Sequence, residues 1–134
     1  MSAAAAVLAS LWLVGCGPHS AVGLRDASHR IYSFEVAAGY TAVHERIIQR
    51  ARQQYVFAGA PRRQPGVTAR LSPENRSATV TLWDSGGIGI RYRLGAEIRA
   101  IDPARARVDL YAAGKSDREE AHLWAAWAHT PLED

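Results

Sequence analysis

The 134-residue chain holds few side chains that could make or break a bond. Cys16 is its only thiol, so the strongest nucleophile in the chain occurs once and cannot close a disulfide within it. His44-Glu45 sets an imidazole beside a carboxylate. A zinc-binding helix of that kind needs a second His four residues after the first, and Ile48 stands there. The pair therefore reads as a solvated helix face. His122 and His129 lie two helical turns apart, roughly 10 Å, which is too far to share one metal. Both read as surface residues, and His19 and His29 fall in a short polar stretch with no fixed geometry. Asp84-Ser85-Gly86-Gly87 places a hydroxyl in a glycine-rich turn between two strand patterns, so a hairpin is the reading. Gly86, Gly87 and Gly89 precede a strand where a phosphate loop requires a helix N-terminus. No nucleophile, base and orienting group converge. The expectation is a non-enzymatic protein without a cofactor or a metal site.

The second chemical feature is charge. The formal net charge is +3, and of sixteen basic residues only Lys115 is not Arg. Arg70, Arg91, Arg93, Arg99 and Arg107 fall at outward positions of neighbouring strand patterns, with Thr79, Thr81, Trp83 and Tyr111 among them. Glu97 and Asp109 partly neutralise the set. A solvated face with cross-strand ion pairs explains it simply. The sharper reading is a surface for an anionic partner: an envelope protein, an anionic glycan or a lipid. The planar guanidinium fork suits carboxylate and phosphate.

The N-terminal segment bears on where the chain resides. Met1 to Gly17 contains no charged residue, and Ala3 to Leu13 is an apolar run well short of the ~20 residues that span a bilayer. It ends in Leu13-Val14-Gly15-Cys16, which resembles the bacterial lipobox. The resemblance implies cleavage between Gly15 and Cys16 and attachment of diacylglycerol to the Cys16 thiol. Met1-Ser2-Ala3 lacks the basic residue that usually opens such a segment. Gly17, rather than Asp, follows the Cys, which by the enterobacterial sorting rule implies the outer membrane. The expected organisation is a signal peptide over 1–15, a lipidated Cys and short tether over 16–30, and one domain over 31–134. Such a chain faces the periplasm of a bacterial envelope, which excludes nucleic acid as a partner.

The elements behind the tether follow from periodicity. Tyr32, Phe34 and Val36 alternate as one strand face. From about Tyr40 to Tyr55, Val43, Ile47, Ile48, Ala51 and Tyr55 recur at helical spacing, with Thr41 as the N-cap candidate. Four period-two runs follow, Val67–Leu71, Ala78–Trp83, Ile90–Ala100 and Ala106–Ala112, separated by short turns. In the third, Ile90, Tyr92, Leu94, Ala96, Ile98 and Ala100 form one uninterrupted face. Ser116-Asp117-Arg118-Glu119 reads as a capping box opening a last helix that carries Trp124 and Trp127 and ends before Pro131.

This order predicts an α+β two-layer sandwich, an antiparallel sheet of about five strands with two helices on one face. It resembles helix-grip domains, found in lipid-binding proteins and in a lipoprotein subunit of the outer-membrane assembly machinery. The apolar first strand, the helix around Ala42 to Gln53 and the strand Ser77 to Leu82 resemble those of small proteobacterial lipoproteins that join a lipobox to one such domain. That resemblance implies an envelope lipoprotein acting as a binding or assembly module. The alternative is a periplasmic carrier holding a lipid or small apolar ligand between sheet and helices.

Overall fold

A computed structural model describes residues 20–56, 64–85 and 89–133. The proposed signal peptide, Gly15, Cys16 and His19 lie outside the described residues. The elements run α1 (Ala21–Leu24), β1 (Arg30–Val36), α2 (Tyr40–Ala51), β2 (Gln64–Ser72), β3 (Ser77–Ser85), β4 (Ile90–Asp102), β5 (Arg105–Ala112) and α3 (Lys115–His129). The five strands form one antiparallel sheet in the order β1-β5-β4-β3-β2. With α2 and α3 packed on one face, this is the two-layer α+β sandwich that the periodicity predicts.

The helix-side face is the apolar phase of each strand. Val80, Leu82, Ala96, Ile98, Val108 and Leu110 are fully buried there against Val43, Ile47 and Ala51 of α2 and Trp124 of α3. Trp124 is 0% exposed and is the largest side chain so enclosed. Its indole lies 6.1 Å from that of Trp127, and its Nε1 donates to the Tyr55 hydroxyl at 3.0 Å. The apolar arc of α2 is wide enough to include His44, which is buried, contrary to its reading as solvated. Its Nε2 donates to the Thr79 carbonyl at 3.3 Å.

Neither long helix begins where a side-chain cap was expected. Gly39 and Gly114 are the N-caps, neither with a capping side chain, so Thr41 and Ser116 sit inside their helices. Asp117 is instead drawn away to an arginine of β4. At the other end of α3, Arg46 donates to the Ala128 carbonyl at 2.9 Å, and Arg50 to those of Trp127, Thr130 and Pro131. Two α2 arginines thus satisfy the carbonyls that a helix C-terminus leaves unpaired.

β4 departs from simple alternation. Leu82 pairs with Leu94, but Trp83 pairs with Tyr92, so Arg93 is an extra residue on β4. A β-bulge of this kind exchanges the faces of the residues beyond it. Leu94, Ala96 and Ile98 face the helices as expected, whereas Ile90 and Tyr92 turn to the opposite face beside Trp83. Arg93 makes the reverse move and points to the helix side.

The segment read as a tether also carries structure. Ser20 Oγ accepts from the Gly23 amide, and the Leu24 amide closes a helical turn on the Ser20 carbonyl at 3.0 Å. Leu24 is 0% exposed because it packs on the outer sheet face over Gly95. A Cβ at Gly95 would stand 3.1 Å from Leu24 Cδ2, so the missing side chain makes the seat for the leucine. Leu24 therefore belongs to the packed body of the domain.

Trp124→Ala should lower the unfolding free energy by about 3–5 kcal/mol, since it opens a cavity in the interlayer. Urea denaturation measures this, with exposed Leu123→Ala as the control. A Trp124→Ala loss no larger than that of the control would contradict the packing described.

Candidate functional site

Two polar constellations stand out, one on each face of the sheet. On the helix side, the bulge delivers Arg93 into a group of three carboxylates. Its guanidinium reaches Asp117 at 2.9 Å, Glu120 at 3.3 Å and Asp84 at 3.9 Å. Asp84 and Asp117 are buried. Burial opposes the Arg93 charge, but the carboxylates, Asp117 foremost, raise its pKa. Glu120 also accepts a 2.5 Å hydrogen bond from Tyr55, whose hydroxyl accepts from Trp124. Burial first, and then the Glu120 carboxylate, hold the Tyr55 proton far above the ordinary tyrosine range. The chain of contacts runs from β3 through β4 and α3 to Tyr55, in the helical turn Arg52–Val56 that follows α2. Every buried side-chain polar atom among the described residues has a partner. This cluster locks α3 onto the sheet, with its groups engaged by one another.

The outer face is different. Across it run rows of paired residues: Arg70, Thr79, Glu97, Asp109 and Ser33 in one, and Ser72, Ser77, Arg99, Arg107 and Glu35 in the next. Arg99 and Arg107 are like charges directly opposite each other, tolerated because each has its own acid. Arg99 pairs with Glu97, and Arg107 with Asp109 and with Ser33 Oγ at 2.7 Å. The guanidiniums lie uppermost: Arg99 and Arg107 side chains are 67% and 52% exposed, against 16% and 12% for Glu97 and Asp109. Arg70 is exposed and, among the described residues, has no ion-pair partner.

Beside Arg70 the face forms an open groove of about 350 Å³, lined by Thr68, Arg70, Thr81, Trp83, Ile90 and Tyr92. The Trp83 indole lies on the strand next to it. A Cβ at Gly66 would fall 2.0 Å from the indole ring, so only glycine permits this placement. Trp83 Nε1 donates to Thr68 Oγ1 at 2.9 Å, which holds the ring over Gly66.

Of the five arginines expected on one outward surface, the structure brings together Arg70, Arg99 and Arg107. Arg93 is on the helix side, and Arg91, opposite Asp84 in the register, is exposed beyond the bulge. Both were assigned outward by an alternation that the bulge interrupts. Trp83 was placed outward correctly, but its partners Ile90 and Tyr92 were read as core. A Tyr facing an Ile two residues away fits either face, so no residue type signals the change. His122 and His129 are exposed, as expected, and each rests on an aromatic ring of β1. The Tyr32 hydroxyl lies 2.5 Å from His122 Nε2, and the Phe34 and His129 rings are 5.0 Å apart. Among the described residues no group of three His, Cys, Asp or Glu is placed to hold a metal.

Arg93→Met should cost about 3 kcal/mol, because it leaves Asp84, Asp117 and Glu120 without their cation. The exposed Arg99→Met should cost less than about 1 kcal/mol. Urea melts of both variants test the contrast, and equal losses would contradict the role given to Arg93. A pH dependence follows from His44. Burial lowers its pKa below 6.5, so below that pH the unfolded chain takes up a proton that the folded chain resists. The stability is complete above 6.5 and is lost as pH falls through the lowered value. Between about pH 7.5 and about pH 5.5 the wild type should therefore lose more stability than His44→Gln. Identical losses would exclude His44 as the source.

No protein-family model, curated protein or solved structure matches the chain.

Proposed function

We propose that the chain is a lipoprotein of the bacterial envelope, cleaved after Gly15, lipidated on Cys16 and facing the periplasm, most simply from the outer membrane. Its α+β domain acts as a non-enzymatic binding or assembly module. Leu13-Val14-Gly15-Cys16 supports the anchor, with an apolar run before it and no other thiol in the chain. Two or three acyl chains hold a protein far more firmly than the single chain that binds only marginally. Among the described residues no helix is long and apolar enough to cross a membrane, so the reading rests on the lipid.

The observation that carries the binding role is the outer sheet face. Among the described residues no long helix covers it, and it presents the exposed guanidiniums of Arg99 and Arg107 above the partly buried carboxylates of Glu97 and Asp109, beside a groove with a fixed indole. The residues with acid–base capacity on the other face are engaged in ion pairs around Arg93. A carrier of the helix-grip kind would need space between sheet and helices. Trp124, Leu94, Ile98 and Leu110, each 0% exposed, occupy that layer.

The anchor is tested by growing the producing bacterium with a clickable palmitate analogue. The wild-type chain should carry the label and sediment with membranes, whereas Cys16→Ser should lose both. Labelling of Cys16→Ser equal to wild type would refute the anchor.

A further inference from the structure

Where the tether joins the domain constrains how the domain can sit on a membrane. Cys16 precedes Ser20 by four residues, and four residues reach at most about 14 Å in any conformation. From Ser20 the chain enters the α1 turn, which ends in Leu24 buried over Gly95. Gly95 is on β4, the central strand, in the row Thr68, Thr81, Gly95, Tyr111 and Arg30. Leu24 thus seats α1 on the middle of the outer face and not on an edge.

To turn the helices toward the lipid, the tether would have to pass a sheet edge and then the thickness of the helix layer. The edge lies about 10 Å away at ~4.8 Å per strand, and the helix layer adds more than 10 Å. From Leu24 the α1 turn adds about 6 Å to that ~14 Å, and about 20 Å of chain reaches a sheet edge but not the far side of the helix layer. A lipid on Cys16 therefore cannot draw the helix face to the bilayer, which leaves the outer face or a sheet edge beside it, and the side chains of the outer face decide between them.

The chemistry of that face suits such a neighbour. Its exposed cations are Arg70, Arg99 and Arg107, with Glu97 and Asp109 beneath them, while the exposed Glu35 at the β1 edge lies 3.8 Å from Arg105. Trp83 and Tyr92 are of the type that settles at the headgroup level of a bilayer. Ile90, 52% exposed, adds an apolar side chain next to them. A groove for a soluble glycan could use the same rings, but it would not explain why α1 is seated on that face.

Resting on the lipidation of Cys16 proposed above, we infer that the outer sheet face lies against the anionic leaflet, with Arg70, Arg99 and Arg107 on lipid phosphates and Trp83, Tyr92 and Ile90 at the headgroup boundary. α2 and α3 then face away from the membrane and remain available to a partner.

The test uses the full mature protein, purified from its membranes with Cys16 lipidation verified by mass spectrometry. It is reconstituted into vesicles of phosphatidylethanolamine and phosphatidylglycerol carrying acyl-brominated lipid, which quenches nearby indoles. Trp124 is buried and Trp127 lies on α3, which this orientation turns away from the lipid, so the quenched emission should come chiefly from Trp83 and fall at least about two-fold in Trp83→Phe. Arg99→Ser with Arg107→Ser should reduce it, as should Leu24→Ser, which frees the tether from the face. Circular dichroism identifies any variant that has unfolded. Quenching that is unchanged by Trp83→Phe in a lipidated protein overturns this orientation and leaves the anchor standing. A Cys16 without lipid overturns both. A shift of Trp83 emission by a soluble acidic glycan, without quenching by lipid, would assign the groove to the glycan instead.

Discussion

In a β-strand each side chain faces opposite to its neighbours, so one extra residue exchanges the faces of everything beyond it. β4 carries that residue at Arg93, and both polar features of the domain depend on it. On the helix side, the bulge brings one guanidinium to Asp84, Asp117 and Glu120, which ties α3 to the sheet through Tyr55 and Trp124. On the outer side, the same shift moves Ile90 and Tyr92 out of the core phase and sets them beside Trp83. Without it, Tyr92 and Ile90 would continue the row of Leu94 and Ala96, and Arg93 would join Arg99 and Arg107 in solvent.

The outer face is organised around two positions where a side chain is missing. Gly66 lets an indole lie on the edge strand, and Gly95 lets a leucine from α1 sit on the central one. The first exposes a rigid aromatic surface with its one polar atom already paired to Thr68. The second fixes the N-terminal segment to the domain, with Tyr111 and Thr81 buried in the same row. A flexible linker would let the domain tumble beneath a membrane, whereas a docked one restricts which face it can present. Packing at Leu24 thus connects local structure to the proposed role of the anchor.

Most of the architecture was legible because each strand and helix has a strong period and short turns separate them. The features that escaped share a physical cause: each depends on a contact made across the chain. Ile90 to Ala100 alternates without a break, and nothing in its residue types marks Arg93 as the insertion. Leu24 is the largest of a few apolar residues in a mostly polar stretch, and its seat exists only because Gly95 comes beneath it in the fold. His44 looks solvated beside Glu45, yet the arc of α2 that meets the sheet extends to it and offers the Thr79 carbonyl. Ser116 and Thr41 have capping side chains but lie inside helices that start at Gly114 and Gly39. The outward arginines were partly legible: Arg70, Arg99 and Arg107 precede or follow the bulge in regular phase, while Arg91 and Arg93 do not.

The domain has a helix side closed by a dense core and ion pairs, and a sheet side on which, among the described residues, no long helix packs. The exchange of faces at Arg93 is the claim on which that description rests. Nuclear Overhauser contacts of the Tyr92 ring, measured in isotope-labelled protein, test it most directly. Contacts from Tyr92 to Trp83 and Thr68 on the outer face are expected. Contacts from Tyr92 to Trp124 and the α3 side chains would contradict it.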